Sequence, residues 1–493
     1  MFKFEKFNAS NIIDAPAVER VVEFSPSGMD AADVANVLSL AVDGKVISAE
    51  AGDGYADVAG RVNFKLVYVD REGAVRGKDY NADFNIKVEG EFTAADSVTA
   101  EVSVVETDVA TGDMLTLSAV VSVRTGAVQR TETEALVDAE KCYKTAGTVM
   151  LPSLVAVKSV SVPVSEEVEV GDVENVLLAD AQASVTDATV QNGKVTVQAT
   201  VFATVTYAEG GEVKSASMEI PFTEEVLADG AEEGDTAYAN ASVRFSKIVL
   251  SGVQGANVIR FEGEVAVRVG VVRCRESEIV SDMFMLTNEI EIQRQSRRFV
   301  YCGGIKYVSE RISGTASLGD RPAADFVAAV PYARCYVAKE EITDGGALVE
   351  GVLNADVVYR DENGLNSVRA EVPYSLEIEG DFGDAVKAVC VVKSVSAKAR
   401  RGSEIDVDAT VGILLTCYRT AQAEYISAVE VGAEKEQNTS ALSLYIASEG
   451  DEMWDVCKAL TATPEEVMKQ NPALTTPLNA GDRVIYFRSL SVS

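Results

Sequence analysis

Apolar and polar residues alternate along most of this chain. VTAEVSVVETDV (98–109), KVTVQATVFATVTY (194–207) and EIDVDATVGILLTCY (404–418) all follow a period of two. That period sends successive side chains to opposite faces and describes half-buried strands. The runs are rich in Val and Thr and are separated by Gly, Asp and Asn clusters, as strands and turns require. Ala and Glu favour helix, but the period of two overrides them. The expected fold is mainly β, with antiparallel sheets packed as sandwiches or barrel-like units.

The pattern recurs three times. DVANVL (33–38) returns as DVENVL (172–177), an offset of 139 residues, and VNFKLVY ending at Tyr68 returns at the same offset as VFATVTY ending at Tyr207. A third copy has DFVAAV (325–330) and VLNADVVY ending at Tyr359. After each tyrosine the chain turns through Gly and charged residues into a strand ending at Phe84, Phe222 or Tyr374. The recurring aromatics read either as a binding stripe or, with more weight, as shared core packing. Pro221 and Pro373 mark edge strands or bulges. The expected repeats span 1–145, 146–296 and 297–430, followed by a polar linker at 431–441 and a separate tail at 442–490.

The tail changes period. LSLYIAS (442–448) reads as a strand, and Asp451 as the cap of a helix whose Met453, Val456, Cys457 and Leu460 share one face. Thr463-Pro464-Glu465-Glu466 is a capping box with proline at the first helical position, Asn471-Pro472 ends that helix, and RVIYF (483–487) is a closing strand. The expected order is strand, helix, helix, strand, with Trp454, the chain's single tryptophan, in the first turn of the first helix.

Charge and composition narrow the function. The 493 residues carry 77 Asp and Glu against 44 Lys and Arg, a net charge of −33, which repels phosphate backbones and anionic lipid. Nucleic-acid binding and direct membrane insertion are therefore not expected. MFKFEKFNAS lacks the apolar run of a secretory signal, so the expected compartment is the cytosol. The seven cysteines are scattered and never spaced as CxxC, which argues against a disulfide framework or a zinc site. With no histidine in the chain, His-based catalysis and ligation are excluded, and no phosphate-binding glycine motif is present. No catalytic, cofactor-binding or metal-binding residue is expected. Arg294, Arg297 and Arg298 form the densest basic cluster. They read as a solvated strand or as a dock for an acidic neighbour, including a second copy of the chain.

Two resemblances follow from these residues. The run Tyr445, Glu449-Gly450-Asp451, Trp454, Val456, Asn471-Pro472, Leu478, Gly481-Asp482 and Ile485 resembles the LysM module. That family implies a groove for N-acetylglucosamine-containing glycan, here lined by Gly450, Asp451 and Glu452 on one side and Asn471, Pro472 and Leu474 on the other. Where the family usually has Thr after Gly-Asp, this chain has Glu452, with Glu449 in the same loop. The acids favour a protein partner over an anionic wall polymer, with Trp454 structural first and its edge at the docking surface. The β copies resemble SPOCS domains. Tandem SPOCS domains before one LysM module resemble the SipL-like family of spore-coat morphogenetic proteins. That resemblance implies a non-enzymatic mother-cell scaffold recruited to the forespore surface, whose LysM tail docks the coat-base ATPase while the repeats meet other coat proteins. The alternative is a glycan-binding wall or cortex protein.

Overall fold

A computed structural model of the chain describes residues 2–26, 33–111, 114–253, 256–319, 321–400, 403–436 and 441–488. In the first repeat, β1 (Phe2–Asp14) and β2 (Val18–Phe24) form one strand interrupted at Ala15-Pro16-Ala17, where proline offers no N–H to a ladder. A three-stranded meander follows, β3 (Val34–Gly52), β4 (Tyr55–Asp70) and β5 (Val75–Glu89). The hairpin β6 (Val98–Thr111) and β7 (Leu115–Ala139) then closes the repeat, with β7 between β6 and the interrupted first strand.

The second repeat uses the same plan: β8 (Tyr143–Val170), the meander β9 (Asn175–Gln191), β10 (Lys194–Glu209) and β11 (Glu212–Leu227), then β12 (Thr236–Val253) and β13 (Ala256–Phe284). So does the third, with β14 (Asn288–Ser317), β15 (Phe326–Thr343), β16 (Gly346–Asp361), β17 (Gly364–Glu379), β18 (Ala385–Arg400) and β19 (Glu404–Glu434). Local chemistry fixes the turns. Gly210 and Gly211 join β10 to β11 with φ of +59° and +78°, the positive pair that a two-residue hairpin turn demands.

Each repeat is a sandwich of two three-stranded sheets around one core. Tyr68, Tyr207 and Tyr359 are all buried in those cores, so the recurring tyrosines pack rather than bind. Pro221 and Pro373 lie on β11 and β17, the outer strands of their meanders, where a missing N–H costs no ladder bond. Barrel closure does not occur. The meander and the sheet of long first and last strands meet face to face through apolar side chains, and among the described residues no ladder joins them.

The first and last strands of each repeat run past the sandwich. Beyond Ala127 β7 pairs with β1 alone, beyond Val272 β13 pairs with β8 alone, and beyond Tyr418 β19 pairs with β14 alone. Strands of 28 to 31 residues far exceed the usual five or six. The three ribbons bury a common apolar face: Ala9, Ala135, Leu151, Ile279, Phe299 and Tyr425 come from all six strands. They make a stalk under a head of three sandwiches.

The head is cyclic. β4 and β5 pack on β9, β10 and β11 on β15, and β16 and β17 on β3. A head-to-tail contact repeated until it closes makes a ring, here within one chain. Leu38, Val67, Leu178, Ala208, Tyr332 and Val358 form its apolar centre. Polar ties are specific to each junction. Lys65 and Asp356 both stand three residues before their repeat tyrosine. Lys65 donates to the carbonyl of Ala179, whereas Asp356 accepts from Ser39 Oγ at 2.8 Å and from the Leu40 N–H at 3.1 Å. Arg369 covers Asp356 with two further bonds, at 2.7 and 3.1 Å.

The tail comprises β20 (Leu442–Ile446), α1 (Met453–Leu460), α2 (Pro464–Gln470) and β21 (Arg483–Phe487), in the expected order. The stretch 431–441 is strand as far as Glu434, and residues 437–440 lie outside the described residues. Among the described residues no helix is long and apolar enough to cross a membrane.

Candidate docking module at the end of the stalk

Val456, Cys457, Leu460, Val467, Leu478 and Val484 make a small tail core, and Phe284 at the end of β13 belongs to the same cluster. The tail is thus built onto the tip of the second ribbon. Tyr143 and Phe284 face each other across that ribbon and stack at 5.3 Å, and Trp454 meets Phe284 edge-on at 5.0 Å. Such aromatic pairs contribute roughly 0.5–1.5 kcal/mol beyond their buried area. Trp454 is half-buried and engages the stalk.

Asp282 completes the contact. Its Oδ2 accepts from Trp454 Nε1 at 2.7 Å and from Lys458 Nζ at 2.8 Å, while Oδ1 accepts from Arg294 at 2.7 Å. Burial opposes the charge, but the donors from Lys458 and Trp454 outweigh it and hold the carboxyl below its ordinary value. The basic cluster is thereby divided. Arg294 binds within its own chain, while Arg297 and Arg298 are exposed and Arg298 donates to Thr420 Oγ1 at 3.3 Å.

The loop after β20 is closed onto the loop before β21. The Gly450 N–H donates to Leu478 O at 2.9 Å, the Leu478 N–H donates to Asp451 O at 2.8 Å, and the Ala480 N–H donates to Glu449 Oε2 at 2.9 Å. Gly450 has a φ of +87°, which favours glycine there. Asp451 is not the helix cap. Its carboxylate accepts from Tyr445 OH at 2.6 Å and the Ser448 N–H at 2.7 Å, which pushes the Tyr445 hydroxyl up to about 12. Glu452 takes the N-cap position instead, its N–H donating to Asp455 at 2.9 Å. The capping box at Thr463 and Glu466 is present, with bonds of 3.2 and 3.3 Å.

Across the module, Asn471 and Gln470 act on β21. Asn471 donates to Ile485 O at 2.8 Å and accepts from the Ile485 N–H at 3.1 Å, and Gln470 does the same for Phe487 at 3.0 and 2.6 Å. Two side-chain amides thus imitate a neighbouring strand. Pro472 is exposed after the helix end, and Leu474 is half-buried against the tail core. The structure joins Gly450 and Asp451 to the Leu478 loop, commits Asn471 to β21 and directs Trp454 to the stalk. Tyr143, Asp282 and Phe284 escaped sequence reasoning. The only signal that could have found them is an aromatic at the start of β8 and another at the end of β13.

A tandem β-repeat body with a small appended strand-helix-helix-strand module is the class of protein that this architecture defines. Residues 172–250 and 332–400 match the family model described as SipL, SPOCS domain. These segments hold the β9–β11 meander and all but the start of the β15–β17 meander, with most or all of the strand that follows each. No curated protein and no solved structure matches the chain.

Proposed function

We propose that this protein is a non-enzymatic scaffold of endospore coat assembly, made in the mother cell and recruited to the forespore surface. The repeats serve as the body that meets other coat proteins, and the tail is a LysM-like module that docks the coat-base ATPase. The SPOCS match over residues 172–250 and 332–400 carries this reading. The acidic loop of the tail favours a protein partner over an anionic wall glycan: Glu449 and Glu452 add negative charge beside Gly450 and Asp451. Several modest contacts on one chain gain strength through effective concentration, which suits assembly of a layer.

The test offers the purified full chain both the coat-base ATPase and insoluble peptidoglycan. Capture of the ATPase with little sedimentation supports the scaffold. Sedimentation with peptidoglycan and no capture transfers the assignment to a glycan-binding wall or cortex protein.

A further inference from the structure

The tail sheet is apolar on both faces: Val484 and Tyr486 of β21 turn into the tail core, yet the outer face is apolar too. In β20, Ser443 and Tyr445 face inward, while Leu442, Leu444 and Ile446 are 53%, 52% and 62% exposed. Ile485 and Phe487 of β21 extend the same outer face. A strand normally buries its apolar side, and a local rule broken in this way marks a surface made for contact.

The backbone carries the same message. Ala447 donates to Asp482 and Arg488 donates to Ala441, so the ladder residues of β20 that face β21 are Ser443 and Tyr445. The N–H and C=O groups of Leu442, Leu444 and Ile446 therefore point away from β21. The far edge of β21 is closed by Gln470 and Asn471. The β20 edge has no such cover among the described residues.

We infer that the open edge of β20 takes up an extended segment of a second protein as a third strand, with that segment's alternate apolar side chains joining the Leu442, Leu444 and Ile446 face. This rests on the tail being the docking module. Charge selects the occupant. LSLYIAS is uncharged; its flanks carry Glu434, Lys435, Glu436, Glu449, Asp451 and Glu452, with Arg483 opposite Ile446 on β21, a net acidic surround, so the incoming segment carries Lys or Arg at its ends. A second copy of this chain brings another 33 negative charges and is disfavoured.

Three full-length variants, titrated with purified coat-base ATPase, test the edge. L444P removes an outward N–H and no ladder bond, so the tail stays folded, as an unchanged Trp454 emission would report. Its expected effect is about a tenfold or greater loss of affinity, while L444A loses clearly less. Amides of Leu442, Leu444 and Ile446 exchange slowly in the wild-type complex. S443P breaks the ladder to Tyr486 and abolishes capture. L444P binding like wild type, or no more weakly than L444A, overturns strand addition while S443P still reports tail docking. If S443P also binds like wild type, the docking reading falls with it. Self-association of the chain alone that L444P abolishes overturns the choice of occupant.

Discussion

The head and the tail solve the same problem, exposed strand edges and polar groups, in opposite ways. In the head each sandwich is covered by its neighbour, and the junctions pair complementary groups drawn from different repeats. Lys65 and Asp356 occupy equivalent positions with opposite charge, and each finds its partner on the next unit. The tail closes one edge of its sheet with Gln470 and Asn471, and among the described residues nothing caps the other. A surface satisfied within the chain builds a rigid body; a surface left unsatisfied invites something from outside. The Asp282 contact lies between these two regimes, because it fastens the open module to the closed body.

The largest expected effect comes from breaking a head junction. Asp356 is 4% exposed and serves Ser39, Leu40 and Arg369 together. Asp356→Ala leaves the Arg369 charge without its carboxylate and is expected to cost about 3–5 kcal/mol. The denaturant midpoint of the body should fall, with Trp454 emission unaffected until the body unfolds. An unchanged midpoint would mean that the ring is not held at this junction.

A smaller effect is expected at the tail attachment. Asp282→Ala removes the acceptor of Trp454 and of the half-exposed Lys458 and is expected to cost about 1.5–3 kcal/mol in all. Trp454 is the sole tryptophan, so its emission should shift to the red and become open to iodide while the midpoint of the body stays put. Acid should do the same in the wild-type chain. The folded Asp282 carboxyl lies below its ordinary value of 3.8. Its contribution is therefore present above that value and disappears as pH falls through the lowered one. Trp454 exposure that sets in near neutral pH would contradict the assignment. The smallest effect is Asn471→Ala, about 1–2 kcal/mol from its neutral bonds to β21, read as faster exchange of the Ile485 amide.

Much of this was legible in the chain, and what was not has a physical cause. The period of two and the 139-residue offset announce the three β repeats, because alternation and repetition are local properties. The tail's order was equally plain from Thr463-Pro464, Asn471-Pro472 and RVIYF. The ring and the stalk were not, since Ala9, Ile279 and Phe299 meet only after the ribbons pack. Asp451 reads as a cap from its position, yet Tyr445 and Ser448 occupy its carboxylate. LSLYI shows its alternation openly but does not say which face turns inward. A sequence-level reading would bury its leucines, and the fold exposes them.

A fluorescent fusion of the full chain imaged in a sporulating cell tests the central claim, that this is a coat scaffold addressed by its tail, most directly. The scaffold predicts a ring around the forespore, lost when the S443P change disrupts the tail. A diffuse signal, or one confined to the septal wall, would contradict it.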